Sequence, residues 1–401
     1  MNKELTVMML TWEFPPRIIG GISSHVYHLS RSLVRNGVKV FVVTCDYHGA
    51  PPHEVIDGVE VFRVDSYKDP SPDFVTWVYL MNMNMQRKAA ALVKKLDEKI
   101  DLFHAHDWLV ANAGIGLKHV FRRPLLATIH ATEVGRNGVQ YENEKMIHET
   151  EYWLTYEAWR VICCSNFMVS HAKWAFGLPE DKLVMIQNGV DIREYEKNTI
   201  PDLSQFRRNF ALPEEKIVLF VGRLVYEKGI HVLVDAIPKV LEKVNAKFVI
   251  VGNGYMKEHL SGLLDRMGLA HKTFFTGFVD CETLRSLQKS ADVCVAPSLF
   301  EPFGIVALEA MAAKSPLVVS DTGGLSEIVE HDVTGVKVYP DNTDSLAWGI
   351  TRVLLDENYA NRLKNNAYRK VQENYNWDKI SQRTKTVYET VSKERSRTIW
   401  T

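Results

Sequence analysis

The stretch LTVMMLTWEFPPRIIGGISSHVYHLSRSLVRNGVKVFVVT, residues 5–44, decides the fold. Leu5 to Leu10 form an apolar run with Glu4 before it and Glu13 after. That run is too short for a signal peptide and reads as a buried strand. Gly20-Gly21 makes a turn, residues 22–35 read as a helix, and 38–44 as a second strand. Strand, helix and strand in succession imply a parallel pair covered by the helix. The pattern returns later in the chain. Residues 216–221 read as a strand, Lys228-Gly229 opens a helix reaching 244, and 247–252 is the next strand. Further strands are expected at 102–106, 125–130 and 184–186, and at 273–276, 293–296 and 317–320.

The fold class is therefore α/β, with two doubly wound domains. The segment 191–213 is polar, holds two prolines and breaks periodicity, so the linker belongs there. The boundaries expected are 1–195 and 196–370. Everything from 344 onward reads as polar helix, ending in the charged tail 393–397. Two such domains facing each other would place a ligand cleft at the carboxyl ends of both sheets.

Composition narrows the partners. In 401 residues the net charge is −1, so nucleic acid has no electrostatic support. No stretch approaches the ~20 apolar residues of a membrane span. The five cysteines are odd in number without CxxC spacing, as in a cytoplasmic protein with reduced, mostly buried thiols. Arg87, Lys88, Lys94, Lys95 and Lys99 cluster on a helix expected over 84–100. Peripheral membrane contact is one reading of that cluster. A solvated face is favoured, because Asp97 and Glu98 dilute the charge.

The chemistry gathers after the strands. In Glu301-Pro302-Phe303-Gly304-Ile305-Val306-Ala307-Leu308-Glu309, two carboxylates stand eight residues apart. Proline favours the first helical position, so a helix is expected from Pro302, with free amides on Phe303, Gly304 and Ile305 as an anion site. Eight helical residues rise about 12 Å, the reach of a nucleotide sugar from sugar ring to ribose. Arg223 and Lys228 share one strand-to-helix loop and can neutralise a diphosphate leaving group without a metal. His130 ends a strand and can donate to a substrate hydroxyl or carbonyl. His104 and His106 face one side of strand 102–106, and with His130 they suggest a zinc site as an alternative. With no carboxylate or cysteine at ligand spacing and no HExxH, no metal is expected. Asp107-Trp108 read as a sugar-contacting pair. Asn188-Gly189, Gly277-Phe278-Val279 and Thr322-Gly323-Gly324 each follow a strand, where a ligand is met.

Together, Gly20-Gly21, His130, Arg223 with Lys228, and Glu301 with Glu309 resemble the retaining glycosyltransferases of family 4, which have the GT-B fold. Ile186-Gln187-Asn188-Gly189-Val190-Asp191 and Ser320-Asp321-Thr322-Gly323-Gly324 fit the same pattern, and the resemblance spans the chain. It implies that Glu301 contacts donor-sugar hydroxyls, Glu309 the ribose, and Arg223 and Lys228 the departing diphosphate. His130 would touch the donor sugar. Gly20, Gly21, Asn188, Phe278, Val279, Phe303, Gly304 and Ile305 would line the donor, and Asp107 and Trp108 the acceptor. It also implies no cofactor, no metal, and a C-terminal helix over 371–401 that crosses back onto the first domain.

His104-Ala105-His106-Asp107-Trp108, residues 130–136 and Trp12-Glu13-Phe14-Pro15-Pro16 resemble the glycogen and starch synthase branch. That implies glucosyl transfer from ADP- or UDP-glucose to an α-glucan. Those synthases often carry Lys-Thr-Gly-Gly in the first loop, where this chain has Arg17-Ile18-Ile19-Gly20-Gly21. A transferase to a small sugar or glycolipid therefore stays open, as do a sugar-nucleotide epimerase and an idle nucleotide-sugar sensor. The base of the donor and the oligomeric state are not legible in these residues.

Overall fold

The computed structural model of the chain describes residues 5–66, 70–97, 99–197, 200 and 202–400. The chain divides into two units. Unit 1 comprises Met1–Asn188 and Trp377–Thr401, and unit 2 comprises Gly189–Asn376.

Unit 1 is built on eight strands: β1 (Leu5–Leu10), β2 (Val38–Cys45), β3 (His53–Ile56), β4 (Val59–Val64), β5 (Leu102–His106), β6 (Leu125–Ile129), β7 (Arg160–Cys163) and β8 (Leu183–Met185). Their spatial order is β3-β4-β2-β1-β5-β6-β7-β8, parallel throughout except for the β3–β4 hairpin. All of β5 and β6 is buried, as expected of parallel strands covered on both faces. The order leaves β1 in one direction toward β2 and in the other toward β5. The crevice at this reversal, beyond the strands' carboxyl ends, is where open α/β sheets bind ligands.

The helix Trp377–Arg397 completes unit 1. Trp377, Ile380, Tyr388 and Val391 join the core formed by Val7, Met9, Val26 and Leu29. Ser32 and Arg35 both donate to the Asp378 carboxylate, at 2.6 Å each. Deeper, the Tyr388 hydroxyl lies 2.7 Å from His104 Nδ1, and Thr128 Oγ1 lies 2.8 Å from His104 Nε2. His104 and Tyr388 are both fully buried. Tyr388→Phe orphans one buried ring nitrogen, which costs about 1–3 kcal/mol. A thermal melt of that variant is expected to fall below wild type, while an equally conservative change at exposed Tyr339 is neutral.

Unit 2 carries six parallel strands: β9 (Lys216–Val221), β10 (Ala246–Val251), β11 (Thr273–Gly277), β12 (Val293–Ala296), β13 (Leu317–Ser320) and β14 (Val336–Val338). Their order is β11-β10-β9-β12-β13-β14, so the reversal falls between β9 and β12. Its core packs Val218, Phe220, Ile230, Leu233, Phe248 and Val295.

Several expected elements shift. The helix expected over 84–100 runs Phe74–Lys95, started by Asp73, whose carboxylate accepts the Thr76 N–H at 2.9 Å. It stops before Asp97, which holds a left-handed φ of +52°. Lys99 therefore lies beyond the helix, and Glu98 lies outside the described residues. The helix expected to open at Lys228 is instead a short 3₁₀ turn, Tyr226–Lys228, followed by the helix Ile230–Leu241. Gly229 between them takes φ +64°, which no continuous helix allows. Among the described residues no helix is long and apolar enough to cross a membrane. All five cysteines are free thiols, four of them buried and Cys281 exposed.

Candidate active site

In unit 2 the loops after β9 and β12 meet at the reversal. The Lys228 ammonium donates to Glu301 Oε2 at 2.8 Å, and Ser298 Oγ donates to the same oxygen at 3.0 Å. Arg223 donates to Glu227 Oε1 at 2.8 Å. The Glu227 carbonyl in turn accepts the Leu299 N–H at 2.8 Å, tying one loop to the other. Arg223 and Lys228 are thus fixed cations on one loop, each held by a carboxylate. Glu301 is only 7% exposed, and these two donors satisfy its Oε2.

The helix expected from Pro302 begins three residues later, as Ile305–Ala312. Gly304 precedes it at φ +104°, and that conformation ends any helical run from the proline side. Phe303 and Gly304 consequently belong to the loop and not to a first helical turn. The eight residues from Glu301 to Glu309 are helical only from Ile305 onward. The turn after β13 packs against this loop. The Gly324 N–H donates to the Glu301 carbonyl at 2.8 Å, and a Cβ on Gly324 would lie 2.4 Å from Phe303 Cα. Phe278, after β11, is 68% exposed, with Val279 partly buried beside it.

Glu309 lies on that helix and accepts from Gln288 Nε2 at 3.3 Å. Burial pushes its carboxyl up to about 7, partly offset by Gln288. The protonated form is favoured in the fold. The resulting stabilisation is complete below the ordinary 4.5 and is lost as pH rises through about 7.

In unit 1 the loop after β1 is organised by Glu13. Its Oε2 accepts the Ile19 and Gly20 N–H groups at 2.6 and 2.8 Å, and the carboxylate is almost wholly buried. Burial raises its pKa against the lowering effect of these amides. The carboxylate thus shapes the glycine turn that leads into the helix Gly21–Arg35. Arg17, in the same loop, lies over the Trp12 and Trp77 rings at 5.5 and 5.9 Å.

After β5 and β6 four histidines converge. The His106 and His130 rings stack at 5.6 Å, with His106 Nδ1 3.3 Å from His130 Nε2. The His25 ring centroid lies 4.6 Å from that of His130 and 5.3 Å from that of His106. Burial drives His25 down to about 4 and His104 to about 3, and holds His106 and His130 well below their ordinary value. All are neutral imidazoles at physiological pH. The side chain of Asn188, expected at the donor, lies against His25, with Oδ1 2.7 Å from Nδ1.

Asp107 and Trp108 do not form an open sugar platform. Both are buried, 2% and 4% exposed. The Asp107 carboxylate accepts the His130 backbone N–H at 2.7 Å, and the Trp108 ring packs edge-on against Phe74. Burial raises Asp107 to about 6. Its observed work is to position the His130 loop.

Sequence reasoning passed over Glu13, His25, Glu227 and Ser298. Glu227 stands between Arg223 and Lys228 and could have been read as their counter-charge. His25 gave no signal beyond a place on an amphipathic helix.

The sequence matches two family descriptions, Glycosyltransferase Family 4 over residues 19–194 and Glycosyl transferases group 1 over residues 203–370. An uncharacterised glycosyltransferase of Methanocaldococcus jannaschii is 46% identical over 387 residues, which is 96% of this chain and 98% of that protein. The glycogen synthase of Mycobacterium tuberculosis is 34% identical over 402 residues, 96% of this chain and 94% of that one. A sucrose-phosphate synthase structure from Thermosynechococcus elongatus superposes with a TM-score of 0.84 at 25% identity, covering 97% and 99% of the two chains.

Proposed function

Because the chain belongs to the group 1 glycosyl transferases, enzymes with two Rossmann-like domains in the GT-B fold, we propose that it moves a glucosyl group from ADP- or UDP-glucose to a hydroxyl of an α-glucan. The observation that carries this reading is the Arg223, Lys228 and Glu301 constellation at the β9/β12 reversal. The two cations neutralise a departing nucleoside diphosphate, so no metal or cofactor is required. Glu301 faces the donor-sugar hydroxyls and Glu309 the ribose. His130 touches the donor sugar where positive charge grows at its anomeric carbon. Transfer proceeds with retention. The bond to the diphosphate breaks with its electron pair leaving on phosphate, and the acceptor oxygen attacks from the same face. The leaving phosphate takes the acceptor proton.

The glucan acceptor draws support from the 34% identity to a glycogen synthase across nearly its whole length. A small acceptor is the second reading. Arg17, Asp46, Tyr47, His48, Arg63 and Asp65 line an open cavity of about 730 Å³ in unit 1, with room for a small sugar. Nucleotide release from ADP-, UDP- and GDP-sugars, with glycogen, maltooligosaccharides, small sugars or a lipid extract, separates the readings. Glycogen-dependent release from a glucose donor supports the first. Release only with a small sugar or a lipid replaces the acceptor and keeps the glycosyl transfer. Trapping a covalent glycosyl-enzyme would contradict the single-step course.

Two ribose hydroxyls are best accepted by an ionised carboxylate. With Glu309 raised to about 7, donor KM is expected to fall as pH rises from 6 to 8. Glu309→Gln flattens that profile and raises KM with little change in kcat. A profile unchanged by the substitution assigns the titration elsewhere.

A further inference from the structure

We propose that His25, His106 and His130 form a site for one divalent transition cation of the zinc class, and that its occupancy inhibits the enzyme. One ring nitrogen of each histidine lies within 4.8 Å of those of the other two. Three imidazoles on one zinc, at about 2.0–2.1 Å each, stand about 3.4 Å apart in a tetrahedron. His106 Nδ1 and His130 Nε2 are already 3.3 Å apart. That pair shares a proton in the free protein. Binding therefore requires the ring that donates to shift its proton to its other nitrogen, and His25 to draw toward the pair.

The third ligand is prepared in the way metal-binding histidines are. The pairing of His25 Nδ1 with Asn188 Oδ1 requires the proton on Nδ1, because an amide oxygen only accepts. That fixes the tautomer and leaves Nε2 with a bare lone pair, the outer-shell orientation typical of metal-bound histidine. This Nε2 is buried and makes no hydrogen bond. Buried polar atoms without partners are uncommon and call for a reason. His104, though adjacent, is excluded, since Thr128 and Tyr388 hold both of its nitrogens. The three ligands come from the helix Gly21–Arg35 and from the ends of β5 and β6, all rigid elements of unit 1. His130 is partly exposed, which gives an ion its entry and leaves a fourth position open for water. Three neutral nitrogens with an open position suit zinc, cobalt or copper, and not magnesium or calcium.

Cobalt(II) titration of the full-length protein tests the site without any variant. The expected result is the intense visible absorption of a four-coordinate nitrogen site, saturating at one equivalent and displaced by zinc. Only the weak absorption of six-coordinate cobalt would overturn the proposal. His25→Gln is expected to abolish the band, and Asn188→Ala to weaken cobalt affinity about 10–100-fold through loss of the outer-shell contact. Circular dichroism confirms that each variant is folded. A band that persists unchanged in folded His25→Gln overturns the assignment. The inhibitory role rests on the glycosyl-transfer reading, in which His130 touches the donor. Zinc is expected to suppress nucleotide release by at least tenfold, reversed by a chelator. A saturated site with undiminished release overturns the inhibition. A cobalt band in a protein that turns over no nucleotide sugar at all sinks the transfer reading and leaves the metal site standing.

Discussion

Lys228→Ala is expected to lower turnover about 10²–10³-fold while changing donor affinity less than tenfold. The asymmetry follows from when the charge is needed. A nucleotide sugar arrives with its diphosphate already charged, but breaking the sugar–oxygen bond adds negative charge to the oxygen that leaves. A preorganised cation at that point acts mainly on the transition state, and one lost electrostatic donor of this kind costs about 3–4 kcal/mol. Lys228 is held for this by Glu301 at 2.8 Å, with both groups largely buried. The same contact carries a stability consequence. Without the ammonium, the Glu301 carboxylate keeps only Ser298 Oγ, and breaking a buried pair costs about 3–5 kcal/mol. A double variant, Lys228→Ala with Glu301→Ala, removes the stranded charge. It should recover much of the melting temperature and none of the turnover. Single-turnover nucleotide release at saturating donor, together with calorimetric donor affinity, checks both halves. Recovery of turnover in the double variant would show that Lys228 acts only by neutralising Glu301.

The α/β class was legible because buried parallel strands read as continuous apolar runs, as in β1, β2, β9 and β10. Length alone did not decide what was missed: β7 and β14, of four and three residues, escaped, whereas β12 and β13, of four each, were read from apolar runs that follow a helix. The β3–β4 hairpin carried a usable signal in Asp57-Gly58 between alternating apolar residues, the mark of a tight turn. Arg223 and Lys228 were singled out by their place in one loop after a strand, and Glu301 by the proline that follows it and its spacing to Glu309. What failed depended on contacts made at long range. The helix start at Pro302 was displaced by the left-handed backbone of Gly304, whose Cβ position would fall 2.5 Å from Leu325 Cδ2. Trp108 read as a sugar platform, but it leads the apolar run Leu109-Val110-Ala111 into the core. Proximity of His25 to His106 and His130 joins residues 81 and 105 positions apart, which no local pattern encodes.

Gly229→Ala is expected to destabilise the protein by at least about 3 kcal/mol and to lower activity about 100-fold. Gly229 holds φ +64°, where an alanine is strained by roughly 1–2 kcal/mol. The larger effect is steric. A Cβ there would stand 1.9 Å from the Pro297 carbonyl oxygen and 2.8 Å from its carbon. Both are backbone atoms at the end of β12, so no rotamer relieves the overlap and the two loops must part. The residue also closes the 3₁₀ turn, donating to Tyr226 at 2.9 Å, and its carbonyl accepts the Val232 N–H at 3.0 Å to start the next helix. Moving it drags Lys228 away from Glu301, and misplacement by about 1 Å costs on the order of 100-fold in rate. Gly268→Ala is the control. Gly268 has nearly the same backbone, φ +69°, with nothing within 4 Å of its Cβ position. It reports the strain alone. Thermal melts should place Gly229→Ala about 6 °C or more below wild type and Gly268→Ala within about 4 °C of it. Equal shifts in the two variants would mean that the loops after β9 and β12 are not in the close contact from which the cation pair draws its geometry.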